Sequence, residues 1–383
     1  MITRQRLASY GIPTVAAATI VTAALLTQGG PSADAPISSP YAVEVVNSKE
    51  SSQIDVVFAV DTTGSMGGLL DGAKRTVWSI ATHIRKTDPN ANIRIGLVAY
   101  RDIGDDYVTR PYMLTTDLDS VFTELSTYQA SGGGDTPENV DAALDDTLHK
   151  MQWRPGAKKL VFLVGDAPPA TRGDVPSFDK LAKEASRKGI TINTIRCGTD
   201  HNTAQAFQQI ASLSNGEFSS IVQDGGVQQM ATPYDDKLAE LSTKIDSTTI
   251  IVGDEGARGR HRAKMAAADA APAPAKADRA GYYASKPGTK GAGRADDDLV
   301  GGIATGTMSF ESVPTESLPS DMQGMDKAEL KREVEKRVEE RAAAQKEIAE
   351  LSKQRDEYLK KNMKDGEGFD AKVKTSLEKQ LKK

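Results

Sequence analysis

The sequence predicts a doubly wound α/β fold with a mostly parallel sheet, followed by a disordered linker and a charged C-terminal helix. Four short runs rich in β-branched and apolar residues are typical of buried parallel strands. Helical patterns separate these runs, and such alternation is typical of a sheet covered by helices on both faces. After Gly253 the composition changes abruptly, which ends the predicted domain.

The predicted strands and helices alternate between residues 45 and 253. The four strand segments are 54–60, 92–100, 158–165 and 189–196. The helical segments are about 67–86, 138–151, 178–188, 203–216 and 227–246. These segments define one domain over 45–253.

Residues 254–324 are rich in Ala, Gly, Pro and charge and have no apolar periodicity, so a disordered linker is predicted there. Residues 325–383 form a charged tail whose first part, 325–362, has strong helix propensity. Its apolar stripe is sparse and irregular. A solvated single helix and a weak coiled coil therefore both remain open, and the coiled coil would allow oligomerisation through this tail.

The N-terminal residues 1–35 resemble an export signal. Arg4 and Arg6 precede an apolar centre over 15–26, which is short for a membrane span and suitable for a signal peptide. Ala33-Asp34-Ala35 fits a cleavage site, and an uncleaved membrane anchor is the alternative. Both alternatives predict an exported chain in the periplasm, cell envelope or extracellular space, with a membrane tether in the second case.

Composition argues against several classes of function. The chain has 383 residues and a net charge of −5, which argues against nucleic acid as the main partner. One cysteine, Cys197, rules out an internal disulfide framework. The four histidines lack the spacing of a zinc site.

Polar residues at the ends of two predicted strands indicate a cation site. Asp61 ends the first strand, and Thr63 and Ser65 follow at every second position, so an extended chain presents all three on one side. Asp166 ends another parallel strand and should converge with Asp61 at the carboxyl edge of the sheet. Thr136, in a glycine-rich loop, offers a further oxygen. Carboxylate and hydroxyl oxygens suit a hard divalent cation.

These residues resemble the metal-ion-dependent adhesion site of the von Willebrand factor type A domain, a Rossmann-like family. The family pattern is D-x-S/T-x-S, then T, then D, and it reads here as Asp61, Thr63, Ser65, Thr136 and Asp166. The segments "GGGDTPENV" and "LVGDAPP" look like those of bacterial members. The resemblance implies Mg²⁺, with Mn²⁺ or Ca²⁺ as alternatives. It also implies a protein partner that offers an Asp or Glu carboxylate to the metal.

Three functions follow as hypotheses. The first is a non-enzymatic, cation-dependent binding module for protein–protein interaction or adhesion. The second is a magnesium-dependent phosphoryl hydrolase, which is disfavoured because Thr63 stands where such enzymes usually need a second acid. The third is a scaffold that acts through the C-terminal helix, with a purely structural metal. The acidic residues Asp102, Asp105 and Asp106 are expected to form a solvated rim, with a second cation site as the less favoured alternative.

Overall fold

The computed structural model describes residues 52–134, 137–170, 174–286, 295–363 and 366–382. Its centre is a six-stranded sheet in the order β3-β2-β1-β4-β5-β6. The strands are β1 (Gln53–Asp61), β2 (Asn92–Tyr100), β3 (Thr109–Thr115), β4 (Lys158–Gly165), β5 (Ile190–Cys197) and β6 (Phe218–Ile221). All neighbours are parallel except β2 and β3, which are antiparallel. The predicted mostly parallel α/β sheet is confirmed.

Helices cover both faces of this sheet. The helices up to residue 247 are α1 (Gly67–Thr87), α2 (Leu118–Thr127), α3 (Val140–His149), α4 (Phe178–Arg187), α5 (His201–Leu213) and α6 (Asp235–Ser247). Side chains alternate along β1, so Val56 and Phe58 pack with α1 and α2, whereas Val57 and Ala59 pack with α3, α4 and α5. Two separate apolar cores result, one on each face.

Three elements of this region were not predicted: β3, α2 and β6. The edge strand β3 is largely half-exposed, and it contains Pro111, so its sequence lacks the continuous apolar run of a central strand. The strand β6 has only four residues. Both are short peripheral elements with a weak pattern of their own.

The prediction of a disordered linker over 254–324 is wrong for the described part of that segment. It contains α7 (Glu255–Asp269), α8 (Ala273–Ala284) and α9 (Leu299–Thr305). Helix α8 packs on α1 and α6, and its Arg279 donates to Asp119 in α2 and to Asp246 in α6 at 2.6 Å each. The composition misled because a few large side chains, Tyr282 in α8 and Leu299 and Val300 in α9, are buried among small Ala residues, and the buried ion pair adds to them.

The tail is helical, as predicted, with α10 (Lys327–Asn362) and α11 (Phe369–Leu381). The prediction of a solvated single helix is wrong, because α10 lies along α6 and α8 with Ala344 and Ile348 buried. Its buried Arg355 pairs with Asp235 at 2.6 Å and with Asp278 at 2.7 Å. The tail therefore belongs to the same compact unit as the sheet.

Helix α11 completes the core on the α1 face of the sheet. Phe369 is buried beside Phe58, with 6.1 Å between the ring centroids, and Val373 and Leu377 lie in the same apolar cluster. The domain boundary predicted at residue 253 thus cuts through a continuous core. Among the described residues, no helix combines the length and the apolar character that a membrane crossing requires.

Candidate metal centre

The carboxyl edge of the sheet brings together Asp61 and Asp166. Asp61 is the last residue of β1, and Asp166 follows β4, which pairs directly with β1. A short 3₁₀ turn over Gly64–Met66 carries Ser65 and leads into α1. The fifth predicted residue, Thr136, lies outside the described residues. Its role as a ligand stays a prediction.

Asp61 is held in place through one of its two carboxylate oxygens. The Thr63 backbone N–H and hydroxyl donate to Oδ1 of Asp61 at 2.8 and 2.7 Å. The other oxygen, Oδ2, is buried and has no hydrogen-bond partner among the described residues. Burial raises the pKa of Asp61 to about 7, although the Thr63 hydrogen bonds lower it. A buried carboxylate oxygen without a partner is costly unless a cation lies beside it.

Gly165 leaves room for the Tyr100 hydroxyl beside the ends of β1 and β4. A Cβ at this position would lie 2.3 Å from the Tyr100 hydroxyl and 3.4 Å from Oδ2 of Asp61. The Tyr100 hydroxyl donates to the Val164 carbonyl at 3.1 Å, so it is already engaged and forms the floor of the site. A side chain at 165 would therefore displace the Tyr100 hydroxyl, which lies beside Asp61 and Asp166.

Asp166 contacts a residue that the sequence did not single out. Nε2 of Gln223, in the loop after β6, donates to Oδ2 of Asp166 at 2.6 Å. The same nitrogen donates to the Ser65 carbonyl at 3.3 Å. Asp166, Ser65 and Gln223 thus lie around one point at the edge of the sheet.

Glu138 is a second residue that sequence reasoning missed. It is 3% exposed, and its Oε2 has no hydrogen-bond partner among the described residues. Burial, followed by the charges of Asp61, Asp102, Asp105 and Asp166, raises the pKa of Glu138 to about 8. The sequence did contain a signal for Glu138, because this acid follows Thr136 by two residues and so belongs to the same loop as a predicted metal ligand.

The acidic loop after β2 is only partly the predicted solvated rim. The Asp106 side chain is 85% exposed and fits that prediction, but Asp102 is only 3% exposed. Asp105 accepts a hydrogen bond from the Gly133 N–H at 3.2 Å and so ties this loop to the glycine-rich loop. Buried Arg101 donates to the Thr62 carbonyl at 3.2 Å and connects the same loop to the end of β1.

The oxygen atoms of this site fit a hard divalent cation whose coordination shell is completed by further oxygens. The site offers the unpartnered Oδ2 of Asp61, the carboxylate of Asp166 and nearby hydroxyls. Within the described ranges, no three acidic, histidine or cysteine side chains are arranged to hold a metal by themselves. The remaining ligands would have to come from hydroxyls, the 135–136 segment, water or a partner.

Comparison with known proteins agrees with this architecture. Residues 55–233 match the family model of the von Willebrand factor type A domain. Human von Willebrand factor A domain-containing protein 7 is 36% identical over 207 residues, which cover 51% of this chain and 22% of that protein. The alpha-protein kinase vwkA of Dictyostelium discoideum is 27% identical over 117 residues, covering 30% of this chain and 18% of that protein. The chain spans less than a quarter of these relatives.

Among solved structures, proximal thread matrix protein 1 from the mussel byssus aligns with a TM-score of 0.37 and 16% identity. Zinc occupies the metal-ion-dependent adhesion site (MIDAS) motif of that structure. The alignment covers 45% of this chain and 43% of that one. Domains of this family commonly bind a divalent metal at such a motif and mediate protein–protein interaction. The parallel sheet and the matched family model together identify residues 55–233 of this chain as a von Willebrand factor type A domain.

Proposed function

We propose that this chain binds a divalent cation at Asp61, Thr63, Ser65, Thr136 and Asp166 and uses it to capture a carboxylate of a partner protein. Mg²⁺ is the proposed cation, with Mn²⁺ or Ca²⁺ as alternatives. The observation that carries the proposal is the buried Oδ2 of Asp61, which lacks a hydrogen-bond partner among the described residues and lies beside Asp166. A bound cation would supply positive charge that attracts an external acidic oxygen.

The proposed role is binding rather than catalysis. Thr63 donates its hydroxyl to Oδ1 of Asp61, which orients that carboxylate and engages the hydroxyl. Position 63 therefore offers no acid or base for proton transfer of the kind that a phosphoryl hydrolase needs. The supported role of Asp61 and Thr63 is to hold an oxygen ligand in a fixed orientation.

The surface around the site supports a protein partner. Large apolar side chains that are clearly exposed in the described residues are Ile103, Met113 and Val222. Ile103 follows β2 and Val222 follows β6, so both lie on loops at the same edge of the sheet as Asp61. Four strand spacings separate β2 from β6, or about 19 Å. A partner with an acid flanked by apolar side chains would match this surface.

Capture of such a partner is expected to depend on both the cation and the two apolar residues. With the full-length chain as bait for a cell-envelope extract, chelator should abolish capture. Moderate salt should weaken capture less, because salt mainly screens exposed charge pairs. Ile103→Ser and Val222→Ser should each lower affinity for the captured partner by about three- to tenfold through lost apolar burial.

Met113→Ser is the matched control, because Met113 is also exposed but lies in the middle of the edge strand β3. It should leave capture unchanged. Capture that survives chelator would contradict the role of the cation. Equal losses from all three variants would contradict the proposed surface.

The alternative, a scaffold function of α10, has less support. The apolar side chains Ala344 and Ile348 contact α6 and α8 of the same chain. A partner or a second copy would meet mainly the charged side of α10. Oligomerisation through this helix thus requires either release of α10 or recognition of its charged surface.

Export is proposed from the N-terminal sequence, which lies outside the described residues. A reporter fused after residue 45 should be active outside the cytoplasm. Mass measurement of the mature chain would then distinguish cleavage after Ala35 from a retained membrane tether. Reporter activity confined to the cytoplasm would contradict export.

A further inference from the structure

The side chain of Gln223 donates to the carboxylate of Asp166, a proposed ligand of the cation. Its Nε2 donates to Oδ2 of Asp166 at 2.6 Å and to the Ser65 carbonyl at 3.3 Å. Two elements of the proposed site, the turn after β1 and the end of β4, are thereby joined by one amide nitrogen. A hydrogen bond to an ionised carboxylate is among the stronger kinds of hydrogen bond.

The loop that carries Gln223 is fixed on both sides. Gly225 and Gly226 have φ angles of +84° and +57°, which favour glycine and turn the chain sharply. A Cβ on Gly68 of α1 would lie 2.8 Å from Cα of Asp224, so α1 and this loop are in close contact. On the other side, the Phe369 N–H of α11 donates to the Gly225 carbonyl at 2.8 Å.

These contacts determine where Gln223 can reach. Because α1 and α11 hold the loop, the Gln223 amide lies within hydrogen-bonding distance of Asp166, and the loop does not need to move to bring it there. Helix α11 lies beyond the matched range 55–233, so a part of the chain outside that range helps to position a residue at the proposed metal site.

We propose that Gln223 is a positioning residue that competes with the cation for Asp166 and so lowers the metal affinity of the site. This inference rests on the proposed function. The amide hydrogens of Gln223 carry partial positive charge, and the amide nitrogen donates to the carboxylate oxygen of Asp166 as well as to the Ser65 carbonyl. The hydrogen bond to Asp166 takes up electron density of Oδ2 of Asp166 that a cation at the same oxygen would otherwise use, so that oxygen should bind a cation more weakly while the hydrogen bond is present.

Two substitutions at this position distinguish competition of Gln223 with the cation from a purely structural role of Gln223. Gln223→Ala removes the donor and leaves Asp166 free. Gln223→Glu keeps the size of the side chain but replaces the donor by a carboxylate, which repels Asp166 without metal and favours a cation when one is present. Gln228→Glu is the matched control, because it adds the same charge at an exposed position in the same connection between β6 and α6.

The test is calorimetric titration of the full-length chain with Mn²⁺, supported by thermal unfolding with and without Mn²⁺. Gln223→Ala should bind Mn²⁺ about three- to tenfold more tightly than wild type, as expected for loss of one competing hydrogen bond of ordinary strength at an exposed position. Gln223→Glu should bind more tightly still and unfold at a lower temperature than wild type when metal is absent. Gln228→Glu should remain within about twofold of wild type.

The outcomes distinguish this inference from the proposed function. If wild type binds no Mn²⁺, the proposed function fails. If wild type binds Mn²⁺ and both Gln223 variants bind it equally well or more weakly, the competition is refuted. A purely structural role would change the unfolding temperature of the variants without raising their affinity for Mn²⁺, and that result would also overturn the inference.

Discussion

Replacing Asp61 with Asn is expected to abolish high-affinity binding of Mg²⁺ and Mn²⁺ while leaving the fold intact. The Asn side-chain oxygen can still accept the two hydrogen bonds from Thr63. The variant loses the negative charge and the unpartnered Oδ2. Because the number of charged ligands strongly affects the affinity of sites for hard cations, the affinity should fall by about a hundredfold or more.

Two measurements check this expectation. Calorimetric titration should give close to one Mn²⁺ per wild-type chain and no measurable heat of binding for Asp61→Asn. In thermal unfolding, saturating Mn²⁺ should stabilise wild type by about 2.7 kcal/mol at a hundredfold excess over the dissociation constant, and it should not stabilise the variant. Asp106→Asn is the control, because Asp106 is a nearby acid whose side chain is 85% exposed.

Equal binding by wild type and Asp61→Asn would remove Asp61 from the site. Equal loss in Asp106→Asn would indicate that only the overall acidity of this edge matters. Loss in Asp61→Asn alone supports a specific ligand.

The central sheet could be predicted because its strands are short apolar runs that are buried on both faces. The segments 92–100 and 158–165 coincide with β2 and β4, and 54–60 lies within β1. Such strands carry their own signal, since both faces are mostly apolar, although β1 buries Asp55 and β5 buries Asn193. The edge strand β3 and the short β6 carry no such signal, and only their pairing with β2 and β5 defines them.

The site was predictable to the extent that it depends on strand ends. Asp61 and Asp166 end adjacent parallel strands, and topology alone brings them to one edge. Gln223 could not be predicted in this way, because its position depends on the glycine turn after β6 and on contacts with α1 and α11. Those contacts join residues far apart in the sequence, and no local pattern encodes them.

For the described part of the segment 254–324, the prediction from local composition is wrong because contacts with distant residues stabilise the segment. Composition describes how much apolar surface a segment can bury, and by that measure the segment is poor. A buried ion pair contributes differently, because its partners Asp119 and Asp246 come from α2 and α6 rather than from the segment itself. Buried Arg341 of α10 similarly pairs with Asp298 at the start of α9. Neither pairing is visible in local composition.

Replacing Arg279 with Met should therefore destabilise the whole compact unit. Arg279 is 2% exposed, and its main partner Asp119 is 1% exposed. The substitution keeps much of the apolar length of the side chain but leaves Asp119 and Asp246 without their shared cation. Breaking one partner out of a buried ion pair typically costs about 3–5 kcal/mol, so the free energy of unfolding should fall by about that amount.

Denaturant unfolding monitored by circular dichroism measures this effect, and Arg262→Met is the matched control. Arg262 lies in the same predicted linker and pairs with Glu255, but its side chain is 64% exposed. The control should change the free energy of unfolding little, because exposed ion pairs contribute little to stability. If Arg279→Met is as stable as wild type, helix α8 does not depend on this ion pair. A large loss confined to Arg279→Met means that the buried guanidinium fastens the segment after residue 253 to the sheet domain.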